Sequence, residues 1–361
     1  MVLGLSHAGT SVFKASSPSR RILVATLDGI VMLERLGDGL NSGWRVADRT
    51  LQGSHVSSIL MPTPGLILAG IFQGGVVASS DDGQTWTPRD NGIDVHDVYS
   101  LGSTTLSGRL RLFAGTEPAH IYISDDLGQS WRDVPSLREV PGVPRWTFPA
   151  PPHIGHLKQI AIAPDNPAVI YGAIEQGGLL KSIDGGETWR EIPGVDDDVH
   201  RLVIDPHDSR RMFTVTGVGI YASNDGGENW ERRTDEGSIV GGYPDQFTFV
   251  PGKPNDLIVT GARDNPDGWF TTHFAGSRMA RSRDGGRSWQ IVGNGFPAPD
   301  QMQASVEAMC LEDRGSSFSL FVGTTIGEVW ASDDGAENWT AIARGLAPVS
   351  KGAHAHILNA A

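Results

Sequence analysis

The sequence predicts an all-β protein, a seven-bladed β-propeller with four-stranded blades, and three observations predict it. The first is a recurring segment that ends in tryptophan. It reads "SSDDGQTW" (79–86), "SDDLGQSW" (124–131), "SIDGGETW" (182–189), "SNDGGENW" (223–230), "SRDGGRSW" (282–289) and "SDDGAENW" (332–339), with a degenerate copy in "LGDGLNSGWRV". The tryptophans at 44, 86, 131, 189, 230, 289 and 339 stand roughly forty to sixty residues apart, the length of a propeller blade. The second is what flanks each segment: alternating strand-like residues such as "GGVVAS", "HIYIS" and "GIYAS" before it, and "WTPRD", "WREI" or "WQIV" after it. The third is composition. Forty-six glycines and 22 prolines beside 39% apolar residues suit many short strands joined by tight turns.

Each segment therefore reads as the turn of a β-hairpin. The aspartate can cap backbone N–H groups, glycine supplies positive φ, and tryptophan packs between sheets. Five of the six fit Ser-x-Asp-x-Gly-x-[Thr/Ser/Asn]-Trp, and the sixth has Ala336 where the others place their second turn glycine. On these segments the chain resembles the bacterial Asp-box (BNR) repeat, sialidase-like propeller proteins. It resembles more distantly the photosystem II assembly factor propellers. The resemblance covers nearly the whole chain and implies the fold, with Asp-box turns in the blades. It implies little about activity, because such turns lie far from the sites of the enzymes that carry them.

The blades follow in order, inner strand first and the box between strands three and four. Inner strands are expected at "HVSSILM", "DVYSLG", "KQIAIA", "RLVID", "QFTFV" and "EAMCLE". Blade one takes its inner strand from "TSVFKA" or from "AHAHILNA" at the end. The latter is preferred, so residues 1–361 form one domain closed by a C-terminal strand, 353–360, pairing into the first blade.

Several classes are disfavoured. No window of eighteen apolar residues exists, so no membrane span is expected. The N-terminus lacks a signal-peptide pattern, and a lone Cys310 precludes an internal disulfide, so a cytoplasmic location is expected. A net charge of −13 without a basic stripe argues against nucleic acid. Two insertions, 136–155 and 264–278, would lie on the face away from the boxes and form a lid. Their Arg145, Trp146, Trp269 and Arg278, with Tyr243, are candidates for binding a small substrate through guanidinium forks and ring faces.

The stretch "DVHRLVIDP" (198–206) raises the sharpest question, since a histidine stands four residues before an isoleucine there, as it does in "HVSSIL" and "HLKQIAI". An offset of four preserves the face of a strand. Aligned in this way, His55, His96, His156, His200, Asp245, Glu307 and His354 occupy equivalent places at the starts of inner strands. Imidazoles and carboxylates so gathered suit zinc, iron, manganese or copper. Glu117 and Glu175, in equivalent turns, would accept the distal N–H of ligating histidines. The expectation is a metal-dependent enzyme (hydrolase, lyase or oxygenase) with Asp245 or Glu307 as ligand or general base. A binding or assembly protein with a protein partner, and a metal-free glycan hydrolase or lyase, are the alternatives. Sialidase chemistry is not expected: the arginine signature is missing, and only five tyrosines exist.

Overall fold

The computed structural model describes residues 2–8, 11–38, 42–234 and 237–359. The protein is an all-β, seven-bladed propeller with four-stranded blades, and the described residues add two short helices, α1 (Pro266–Thr272) and α2 (Gly352–Asn359). Blades two to six are sequential meanders. In blade four, for example, His156–Ile162, Ile170–Glu175, Gly178–Ser182 and Arg190–Ile192 lie side by side in that order. The chain falls into two compact units, residues 1–57 with 234–361 (unit one) and residues 58–233 (unit two).

The box turns are built by their own side chains. In the first, Asp81 Oδ1 accepts the amides of Gln84 and Thr85 at 3.0 and 2.9 Å and the Ser79 hydroxyl at 2.7 Å. The Trp86 indole N–H donates to the carbonyl of Gly83 at 3.1 Å. Hydrogen bonds to the carboxylate, led by the Thr85 hydroxyl, hold Asp81 at about 2. Ala336 adopts φ of 70°, the left-handed conformation that glycine takes at the same place in the other turns.

The first blade departs from expectation. Its inner strand is Val2–Leu5, which runs parallel to Arg21–Thr26. The segment "TSVFKA" supplies Ser11–Lys14 instead to blade seven, as a fifth strand parallel to Val306–Asp313. The C-terminal strand is corrected outright: 352–359 is helix α2, and residues 360 and 361 lie outside the described residues. The buried residues of α2 are His354, Ala355, Ile357 and Leu358, a spacing of one, three and four that a helix places on one face and a strand cannot. The offset from His354 to Leu358 that suggested a strand is one helical turn.

The inner strands carry the feature that builds the sites. Each of five has a bulge just inside its start, between Val98 and Ser100, Leu157 and Gln159, Val199 and Arg201, Pro244 and Phe247, and Val306 and Ala308. A bulge sets extra residues against the partner strand and re-aims their side chains. The bulged residues are Tyr99, Lys158, His200, the Asp245–Gln246 pair and Glu307. By register, His156 is equivalent to Asp97 and Asp198, not to His200. The amides of Glu117 and Gly217 bond the carbonyls of Asp97 and Asp198, and His156 pairs with Glu175. The offset-of-four alignment therefore merged two rows that lie two residues apart.

Candidate functional site

Unit two gathers polar side chains from three consecutive blades. His156, the first residue of its strand, lies between two carboxylates: its Nδ1 is 3.2 Å from Glu117 Oε2 and its Nε2 is 3.0 Å from Glu175 Oε2. Those two glutamates end, or directly follow, the second strands of blades three and four, so the same turn delivers both. The Lys158 ammonium, from the bulge, sits 3.1 Å from the same Glu175 oxygen. The other Glu175 oxygen faces His200 Nε2 at 3.7 Å, and Asp198 Oδ1 lies 3.4 Å from that nitrogen. Tyr99 stacks on the His156 ring at 4.0 Å between centroids, and Phe148 meets it edge-on at 5.1 Å.

Electrostatics divide the cluster. Glu175 is wholly buried, and a buried carboxylate needs the cationic and N–H partners that His156 and Lys158 provide. Glu117 and Asp198 keep 15% and 16% of their side-chain surface, so solvent reaches the cluster beside them. Asp97 is half-buried. Burial pushes its carboxyl above the usual range and the charge of Glu117 pushes it further, against the Gln73 amide that bonds it. Two neighbouring carboxyl groups thus sit in unlike environments.

The 136–155 insertion covers this cluster. The amide and carbonyl of Thr147 pair with the carbonyl and amide of Gln176 at 3.0 and 2.7 Å, which seats Phe148 against His156. Trp146, half-buried, packs on Gly155 and Gly177. A Cβ at Gly177 would stand 2.6 Å from its Cδ1, so the glycine admits the indole. Arg145 is exposed, 3.3 Å from Glu191.

Unit one holds a different arrangement. Glu307, 1% exposed, is 2.6 Å from His354 Nδ1 on α2, and it accepts the Ser350 hydroxyl at 2.7 Å and the Lys351 amide at 3.2 Å. Burial alone raises a carboxyl, but the His354 and Lys351 charges and these hydrogen bonds hold Glu307 well below the usual carboxylate range. Asp245 accepts from Gln246 at 3.0 Å, and Gln246 donates to the Glu307 carbonyl at 2.6 Å. Tyr243 and Trp269 are buried edge-on against each other and against His354. Trp269 is wholly buried, so it offers no face to a ligand, contrary to the substrate-binding role expected of it. The 264–278 insertion is a brace rather than a lid, because α1 packs on α2 and the His273 ring bonds the Ile357 carbonyl at 2.8 Å. Arg278 turns back to the Gly276 carbonyl at 3.1 Å. His55 packs against His7 with the rings tilted by 31° and their centroids 5.5 Å apart.

The predicted metal set is therefore not one cluster within either unit. The His96 side chain is exposed while its carbonyl receives the Gly74 and Gly75 amides; His354 is part of the Glu307 arrangement, and His55 pairs with His7. Among the described residues, the group with metal-ligand spacing is Glu175, Asp198 and His200, whose donor atoms lie within 4.8 Å of one another. Asp97, Tyr99, Lys158 and Asp198 were missed. Their signal was present as the matching triplets "DVY" (97–99), "HLK" (156–158) and "DVH" (198–200).

Comparison with known proteins corrects the functional expectation. A family model described as Sortilin, neurotensin receptor 3 (Sortilin-Vps10) matches residues 177–296. Among curated relatives, an oligoxyloglucan-reducing end-specific xyloglucanase of Emericella nidulans is 24% identical over 59% of this chain and 26% of its own length. Xyloglucanase Xgh74A of Acetivibrio thermocellus is 25% identical over 63% of this chain and 31% of its own. The chain thus spans about a quarter to a third of the length of these relatives. Among solved structures, an ancestral GH74 enzyme superposes with a TM-score of 0.62 at 18% identity, covering 82% of this chain and 39% of that one. YCF48 bound to D1 peptide gives 0.54 at 16% identity, covering 91% and 87%. At these identities the structures establish the fold alone. These two curated relatives are xyloglucanases, glycan hydrolases, which overturns the expectation of a metal-dependent enzyme, and the sialidase-like label falls with it.

Proposed function

We propose that the chain is a glycan-active hydrolase that cleaves a glucan-type polysaccharide by carboxyl acid–base chemistry without metal. The observation that carries the reading is the Asp97–Glu117 pair, in a chain whose curated relatives include xyloglucanases. Glycoside hydrolysis uses one carboxylic acid to protonate the leaving oxygen and one carboxylate to activate water or attack the sugar. Asp97, raised by burial and by Glu117, is suited to the acid. Glu117, held beside the His156 ring, is suited to the carboxylate. Tyr99 and Phe148 fix that ring, and Trp146 and the partly exposed edge of the cluster would meet the sugar.

Release of reducing ends from xyloglucan and related β-glucans tests this directly. Asp97→Asn and Glu117→Gln should each lower kcat by about 10²–10⁴-fold while the fold persists. The alkaline limb of the rate profile belongs to Asp97, because activity falls as pH rises through its raised value. Wild-type chain that neither hydrolyses nor binds any glucan defeats the reading. The superposition on YCF48 bound to D1 peptide, which takes in most of both chains, favours a second reading, docking of a protein segment on the same face, and that outcome would support it.

A further inference from the structure

We infer that the crevice between the outer strands of blades seven and one, in unit one, is a binding site for a neutral saccharide. It is a cavity of about 480 Å³, inside the span of small-ligand pockets, about 300–1,000 Å³. At three other blade junctions a long basic side chain crosses to the next box turn. Arg111 of blade three reaches the Gly185 carbonyl and Glu187 at 3.0 and 2.8 Å. Lys181 of blade four reaches the Gly226 carbonyl and Glu228 at 3.0 and 3.3 Å, and Arg281 of blade six reaches the Gly335 carbonyl and Glu337 at 3.1 and 2.9 Å. Between blades seven and one the bridge runs the other way. Arg35 of blade one, 1% exposed, reaches back to Asp333 at 2.9 and 3.1 Å, and its guanidinium stacks on the Trp44 ring, 4.5 Å from the centroid. The cavity lies at this junction, with Trp44 and Asp333 both in its wall.

The chemistry of the wall selects the ligand. Trp44 and Ile342 give it an apolar side, and Asp333, Asp334, Asn338 and Thr340 give it carboxylate, amide and hydroxyl groups. A pyranose has the same two characters, C–H groups on its ring faces and hydroxyls around its rim, so one wall can meet each. The two carboxylates are already engaged by donors of the fold, which disfavours a cation as the occupant. Asp333 is forked by Arg35 and accepts the Ser319 hydroxyl at 2.5 Å. Asp334 accepts the Ser332 hydroxyl at 2.9 Å, the Asn338 amide at 2.9 Å and the Asn338 side-chain nitrogen at 2.7 Å. A carboxylate has about four lone-pair sites, so a ligand hydroxyl can still donate to each. This site carries no step of the hydrolysis proposed above, and the two stand or fall separately.

The test reads the cavity through its own tryptophan. Full chain carrying Asp97→Asn, so that the sugar is not consumed, is labelled with 5-fluorotryptophan and titrated with a cello-oligosaccharide under fluorine NMR. The Trp44 resonance is assigned from Trp44→Phe, and that of Trp146, in unit two, from Trp146→Phe. The Trp44 resonance should move saturably, and the affinity read there should fall at least about 10-fold when Thr340→Arg, at an exposed position, puts a long side chain into the cavity. The Trp146 resonance reports unit two independently. A Trp44 resonance that stays fixed, or that moves with equal affinity in Thr340→Arg, overturns the inference whether or not the wild-type chain hydrolyses glucan. A resonance that moves and is weakened by Thr340→Arg, in a chain that hydrolyses nothing, supports the inference and leaves the hydrolase reading without support.

Discussion

The Glu175 cluster of unit two and the Glu307 cluster of unit one start from the same backbone device, a bulge at the head of an inner strand, and end differently. Glu307 meets a histidine, a hydroxyl and an amide at once, and the residues that supply them belong to the segment leading into α2. Glu175 meets two histidines and a lysine, beside carboxylates that still reach solvent. The first is a latch: every group around the carboxylate also anchors a helix. The second holds more acidic groups than its packing needs, and one of them, Asp97, is kept above its ordinary range. Buried histidine–carboxylate contact alone does not mark a site. What separates the two is whether the surrounding groups are all used up in holding the fold.

The sharpest break in that comparison comes from cutting each cluster at its carboxylate. Glu307→Ala leaves His354 buried without its partner and should cost about 3–5 kcal/mol in denaturant unfolding. It should also free α2 to proteolysis, with glucan hydrolysis per folded molecule unchanged. Glu117→Gln, at a partly exposed position, should cost less than about 1 kcal/mol while removing activity. Equal destabilisation by the two would erase the distinction between latch and site.

Acid titration sharpens it next. Because the Glu307 carboxyl is held below its ordinary value of 4.5, its contribution is complete above that pH and is lost as pH falls toward the folded value. The stability gap between wild type and Glu307→Ala should therefore be constant at neutral pH and narrow below about 4.5. A gap that widens in acid would mean Glu307 is not the ionised partner of His354.

How much of this was legible in the sequence depends on what sets each feature. The blades were readable because Trp86, Trp189 and their counterparts are bound to local turns whose chemistry lies within eight residues. Val2–Leu5 was not: a short parallel inner strand has no hairpin to announce it, and its partner lies beyond an intervening strand. Glu117, Glu175, His156 and His200 could be named because they recur at matching places. Their pairing could not, since the bulges at Lys158 and His200 shift the rows by two residues and leave no mark in composition. His354 illustrates the opposite error, because a four-residue spacing fits a strand face and a helical turn alike, and Ala355, Ile357 and Leu358 decide for the helix.

The smallest predicted effect has the opposite sign from the rest. A carboxyl held above its ordinary value of 3.8 by burial and a neighbouring charge favours the folded state only while protonated; that contribution is lost as pH rises through the folded value. At neutral pH Asp97 therefore works against folding. Asp97→Asn should raise Tm by a few degrees at most, within the range of single stabilising changes, in the same variant that loses activity. Below pH 3.8 the two chains should converge, because the carboxyl is then neutral whether folded or not. Thermal melts at neutral and acid pH decide it. A variant less stable than wild type at neutral pH would make Asp97 one more latch, and the contrast between the units would rest on exposure alone.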